Sequence, residues 1–104
     1  MYDALIITPV KDSIVTAKST IEAIKNYSEN CLLCVYNDFS SENNTEKLQD
    51  LCEKLKISLV NLKDHTNNPS PNYRLTLQFA QKLAISYDIP LIIVESDVLI
   101  NRNT

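Results

Sequence analysis

The sequence predicts an α/β fold: three layers, α/β/α, built on a mostly parallel four-stranded sheet with the element order β-α-β-α-β-α-β. Two observations carry that reading. Four short apolar runs, ALIIT (4–8), CLLCVY (31–36), ISLVNL (57–62) and PLIIV (90–94), have the length and composition of buried strands. Between them lie three stretches whose apolar residues recur at helical spacing. Strands that alternate with helices form a parallel sheet with helices on its faces, joined by right-handed crossovers.

The elements follow in order. ALIIT ends at Pro9 and reads as the first strand. Asp12 and Ser13 offer side-chain oxygens to cap the helix that follows, in which Ile14, Ala17, Ile21 and Ile24 share a face. That helix fades across 26–30. The second strand, Cys31 to Tyr36, gives way to turn chemistry at Asn37-Asp38-Phe39-Ser40-Ser41. A second helix from about Asn43 places Leu48, Leu51, Cys52 and Leu55 on one stripe. The third strand is Ile57 to Leu62, followed by a polar loop to Pro71. The third helix, Tyr73 to Tyr87, carries Leu75, Phe79, Leu83 and Tyr87 on one stripe. The fourth strand, Pro90 to Val94, is as apolar as the first and is expected to be central and covered on both faces.

Composition bounds the function. The chain has 104 residues, a formal net charge of −3, 44% hydrophobic and 22% charged residues. That is one domain, residues 1–104, of ordinary globular composition. Glycine is absent, although roughly 7% is usual. The dinucleotide loop G-x-G-x-x-G, the phosphate loop G-x-x-x-x-G-K-[ST] and the nucleophile elbow G-x-S-x-G are thereby excluded. Scattered basic residues in a mildly acidic chain argue against a nucleic-acid surface. No run is long enough to span a membrane, and MYDALIITPV is not a signal peptide. Three cysteines without such a signal suggest reduced thiols and a cytoplasmic location.

Ligands of open α/β sheets bind outside the carboxyl ends of the strands, and polar residues collect there. The first strand is followed by Thr8, Pro9, Lys11 and Asp12, and the second by Asn37, Asp38, Ser40 and Ser41. The third is followed by Asp64, His65 and Thr66, and the fourth by Glu95, Ser96 and Asp97. Asp12, Ser41 and Asp64 are explained by capping and turn formation. Asp38 is less easily explained so, because Ser40 and Ser41 lie nearer the helix. Glu95 and Asp97 stand one residue apart after a buried strand, so in extended geometry both carboxylates face one spot. A divalent cation, Mn²⁺ or Mg²⁺, would relieve their repulsion and suits oxygen ligands. Cys31 and Cys34 form a C-x-x-C, but residues three apart in a strand point to opposite faces, so buried, inert thiols are expected. His65 is a solitary loop histidine, expected in solvent. The loop Asn68-Pro69-Ser70-Pro71 stiffens the entry to the third helix and brings Asn72, Tyr73 and Arg74 to the candidate edge.

The ordered set of strand-end motifs resembles the nucleotide-binding half of family-two glycosyltransferases of the A-type fold. Thr8-Pro9-Val10-Lys11-Asp12 is similar to that family's P-V-Y-N-E, Asn37-Asp38-Phe39-Ser40-Ser41-Glu42 to its D-D-G-S-T-D, and Glu95-Ser96-Asp97 to its D-x-D. The departures are Val10 and Lys11 in the first motif, Asn37 and Phe39 in the second, and Glu95 in the third. The resemblance implies a nucleotide-diphospho-sugar transferase-like fold and metal-dependent transfer of a sugar from a nucleotide diphosphate sugar to an acceptor. By the same resemblance Thr8, Pro9, Asp38, Glu95 and Arg74 would bind nucleotide, and Asp97 with Glu95 would bind the metal. The family's acceptor-binding half and catalytic base follow D-x-D. The chain is therefore expected to be the N-terminal, donor-binding part of a longer enzyme, inactive alone, with its catalytic residue beyond 104. A fourth strand lacking its next neighbour would expose an apolar edge around Leu91 to Glu95, and an edge-strand homodimer is expected there. Two other classes compete: a non-catalytic interaction module or degenerate transferase remnant, and a receiver-like phosphoacceptor domain.

Overall fold

The structure, a computed structural model, describes residues 2–12, 14–27, 30–67 and 72–94. It is an α/β fold with a four-stranded, all-parallel sheet and three helices. In chain order these are β1 (Ala4–Val10), α1 (Ile14–Tyr27), β2 (Cys31–Asn37), α2 (Glu42–Leu55), β3 (Ser58–Asn61), a 3-10 turn (Leu62–Asp64), α3 (Tyr73–Tyr87) and β4 (Leu91–Ile93). The strand order is β3-β2-β1-β4. The first two crossovers step one way across the sheet, and the third returns past β2 and β1 to the far side. A crossover of unchanged hand that reverses direction must change face. Accordingly Val10, Val35, Ala17, Ile21, Leu48 and Cys52 form the core under α1 and α2, while Leu5, Ile7, Cys34, Tyr36, Ala80 and Ala84 form the core under α3. Alternation along β1 and β2 assigns these residues to the two faces.

β1 runs two residues further than the apolar pattern implies, through Pro9. Proline survives in this internal strand because of register. Leu5 N–H donates to Pro90 C=O at 2.8 Å, and Val94 N–H donates to Ile7 C=O at 2.9 Å. In this slanted parallel pattern the next rung would run from residue 9 to the Val94 carbonyl. Pro9 has no N–H to give, and the Thr8 hydroxyl takes that carbonyl instead at 2.6 Å. The other side of β1 is unaffected, since Asp38 N–H donates to Val10 C=O at 2.8 Å.

Three expectations are corrected. β4 is not central: among the described residues it pairs only with β1, and its Ile92 is 45% exposed. Ile92 pairs in register with Ile6 on the face that α1 and α2 cover, yet those helices step away from β4 toward β2 and β3. The central strands are β1 and β2. On α3 the fully buried stripe is Thr76, Ala80 and Ala84. Small side chains let the helix lie close to the sheet, and Leu75, Phe79 and Leu83 fill the margins. Tyr87 is 45% exposed and meets Tyr2 edge-to-face at 5.8 Å. The third strand is also shorter than its apolar run. Ile57 belongs to the end of α2, and Leu62 begins the 3-10 turn.

Without glycine, other residues fill the left-handed positions: Asp12, Phe39, Lys56 and Asp88, with φ of 61°, 62°, 59° and 55°. Two of them close helices. Ile57 N–H reaches Cys52 C=O at 2.8 Å while Lys56 N–H reaches Glu53 C=O at 3.2 Å; Ile89 and Asp88 repeat the pattern on Ala84 and Ile85. These are Schellman motifs, which normally carry glycine at the left-handed position. Replacing Lys56 by Gly should therefore raise stability by about 1 kcal/mol. Asp88→Gly should give less, because a short polar side chain tolerates this region better. Urea midpoints measure both, and a lower midpoint for Lys56→Gly would contradict the strain argument.

Candidate functional site at the carboxyl edge

Parallel pairing brings all four strands to one edge with their carboxyl ends together. The sheet order reverses between β1 and β4, with α1 above and α3 below, so that seam is the candidate position for a ligand by the general rule for open α/β sheets. Thr8 and Pro9 stand on its β1 side, and Asp38 follows β2 one strand away. β4 ends at the same edge, at Ile93. Glu95 and Asp97 lie outside the described residues, as do Ser13 and the loop 68–71.

The loops after β1 and β2 are fastened to each other. Lys11 Nζ donates to Phe39 C=O at 2.9 Å. Asp12 N–H donates to Ser40 Oγ at 2.8 Å, and Asp12 Oδ1 accepts from Ser41 N–H at 2.6 Å and from Asn44 Nδ2 at 3.1 Å. Asp12 thus does not cap α1, as its position in the sequence suggests. It serves the entry of α2, where Ser41 Oγ in turn accepts from Asn44 N–H at 3.3 Å. The Ser41 N–H, then the Asn44 amide, hold the Asp12 carboxyl below its ordinary value of 3.8. Lys11 Nζ lies 3.8 Å from Asp12 Oδ2, with both side chains about half exposed, and adds little.

The sequence makes Asn37 a turn residue, but it ends β2 and organises the interior of this edge. Its Nδ2 donates to Thr45 Oγ1 and to Asn61 Oδ1, both at 2.9 Å, and its Oδ1 accepts from Ser40 N–H at 3.2 Å. One buried amide therefore joins the ends of β2 and β3 to the start of α2. A carboxylate there would lose both donated bonds, which accounts for an amide at this position.

Asp38 is 9% exposed, and Asn72 is 8% exposed. Asn72 N–H donates to Asp38 Oδ2 at 2.8 Å, and Asn72 Nδ2 donates to Asp38 Oδ1 at 2.9 Å. Asn72 begins α3 but does not cap it with its own side chain. The carboxylate from β2 instead takes the N–H that a capping-box glutamate would take from within a helix. Both residues stand out in the sequence, but their pairing does not, because 34 positions separate them.

The remaining candidates fall as follows. Arg74 is exposed in the first turn of α3 and makes no ion pair among the described residues. His65 is exposed, with its ring edge-to-face on Phe79 at 5.0 Å, and Phe79 also stacks on Tyr36 at 6.5 Å. Burial pushes the Cys34 and Cys52 thiols up to about 11, so neither is a ready nucleophile or metal ligand. Among the described residues no group of three or more His, Cys, Asp or Glu could hold a metal ion. No helix among them is long and apolar enough to cross a membrane. Surface grooves of about 380 Å³ between α1 and α2 and about 480 Å³ along α3 are not lined by Thr8, Pro9 or Asp38. No protein-family model matches the chain, and no curated protein is significantly similar to it.

Two outcomes test these networks. Asn37→Ala would strand Thr45, Asn61 and the Ser40 N–H, and should cost about 1–3 kcal/mol in urea unfolding. The lowered Asp12 value means that its contribution is fully present above pH 3.8 and is lost as pH falls through the folded-state value. The stability gap between wild type and Asp12→Asn should therefore be widest at neutral pH and shrink in acid. A gap that grows in acid would contradict the assignment.

Proposed function

We propose that the chain is the donor-binding half of a metal-dependent glycosyltransferase, acting on a nucleotide diphosphate sugar and a separate acceptor. One observation carries the reading: β4 pairs with β1 across the switch point, beside Thr8 and Pro9. Thr8 and Pro9, in the first motif, thus stand beside β4 at the place where such sheets take ligands, while Glu95 and Asp97 lie outside the described residues. A second support is conformational. Phe39, standing where the family's D-D-G-S-T-D has glycine, has φ 62°, the left-handed backbone that glycine adopts without penalty. The strand order β3-β2-β1-β4 is that of the first four strands of the doubly wound fold. It differs from the 2-1-3-4-5 order of receiver domains, which counts against the receiver alternative.

In this reading Thr8, Pro9 and Asp38 line the pocket for base and ribose, with Arg74 at its margin. Glu95 and Asp97 supply the hard oxygen ligands that Mn²⁺ or Mg²⁺ favours. When bound, the metal neutralises charge developing on the diphosphate leaving group. That contribution suits a chain without a glycine-rich phosphate cradle. The partners are the nucleotide-sugar donor, an acceptor and, at the β4 edge, a second copy of the chain. A non-catalytic binding module is the second reading, favoured because both oxygens of Asp38 are already engaged by Asn72.

Calorimetry with UDP and GDP in the presence of Mn²⁺ separates the two. The transferase reading expects metal-dependent nucleotide binding that Asp97→Ala abolishes. Equal metal-dependent binding by wild type and variant would remove Asp97 from the site. No binding by wild type would favour the module.

A further inference from the structure

A groove of about 380 Å³ runs between α1 and α2, lined by Ile14, Lys18, Lys47, Asp50, Leu51 and Lys54. Its apolar residues, Ile14 and Leu51, are half-buried and pack against the core beneath the two helices. The four charged residues are exposed. Three lysines stand there against one aspartate, in a chain whose formal net charge is −3. Among the described residues none of the four makes an ion pair. The positive charge of the groove is therefore not neutralised from within the fold.

The sequence of α2 separates its charges. Lys47, Leu51 and Lys54, at i, i+4 and i+7, share one stripe, while Glu42, Glu46 and Glu53 share another about a third of a turn away. The groove takes its α2 wall from the basic stripe, with Asp50 between the two. Lysines beside an apolar floor between packed helices complement a segment that carries carboxylates next to an aliphatic side chain. A flat anionic lipid surface is a poorer match, because the exposed Glu46 and Glu53 of the same helix would be brought against it as well.

We propose that this groove docks an acidic, amphipathic segment of a partner protein, with an aliphatic side chain on Ile14 and Leu51 and carboxylates on Lys18, Lys47 and Lys54. The surface is independent of the nucleotide reading and stands or falls without it.

Fluorescence anisotropy on the 104-residue chain tests the proposal. The probe is a labelled helical peptide with leucines on one face and glutamates flanking them. Two companion peptides replace every Glu by Gln or every Leu by Ala. Wild type should bind the first peptide and each companion at least about tenfold more weakly. Lys18→Glu combined with Lys47→Glu should weaken binding of the first peptide about tenfold, the summed effect of two reversed, exposed charge contacts. Lys63→Glu combined with Lys82→Glu changes the net charge equally at exposed positions outside the groove, and should leave the affinity unchanged. The companion peptides keep the test independent of how any variant folds. Equal weakening by both pairs of substitutions would reduce the effect to net charge and overturn the proposal. No binding of the acidic peptide, or equal binding of either companion, would overturn it too. Phosphatidylserine vesicles that bind wild type but not the Lys18→Glu, Lys47→Glu variant, in the absence of peptide binding, would replace the peptide by a lipid surface. Self-association in sedimentation that the same pair abolishes would replace it by a second copy of the chain.

Discussion

β1 must satisfy neighbours on both sides and helices on both faces, and the rest of the molecule is arranged around that constraint. A parallel sheet cannot leave a face wet without exposing aliphatic rows. Its odd residues, Leu5 and Ile7, therefore meet α3, and Val10 meets α1 and α2. Burial on both faces makes the strand a continuous apolar run rather than an alternating one. It also leaves polar residues nowhere to go but the strand ends. The chemistry of the chain gathers at the carboxyl edge because the interior has no room for it.

The polar edge is a set of interlocked joints. Asp12 serves α2, Asn37 ties β2 to β3, and Asp38 ties β2 to α3. Each joint is made by a side chain at a strand end or one or two residues past it, reaching a neighbour in space rather than in sequence. In proteins with glycine-rich loops, backbone N–H groups do much of this work. Here, with no glycine, amide and carboxyl side chains do it. Stability and any ligand recognition are consequently carried by the same few groups.

What was legible in the sequence was whatever depends on local periodicity. The alternation of ALIIT, CLLCVY, ISLVNL and PLIIV with three amphipathic segments was enough for the fold class. Strand order was not legible: PLIIV is as apolar as ALIIT, and composition alone cannot tell an edge strand flanked by further chain from a central one. The α3 stripe was displaced by one residue because helical spacing marks the large residues, while closest approach favours small ones such as Ala80 and Ala84. At the carboxyl edge, Thr8, Pro9 and Asp38 were readable as residues at strand ends. The pairing of Asp38 with Asn72 was not, since nothing local to Asn72 announces a partner on β2.

The rung that Pro9 cannot make has a consequence of its own. The mouth of the β1–β4 seam is closed by a threonine hydroxyl instead of a peptide N–H. A hydroxyl can be withdrawn by turning one side-chain torsion, whereas a peptide donor moves only with its strand. Among the described residues, the outermost rung of the seam thus depends on the rotamer of one buried threonine rather than on the peptide of its own strand.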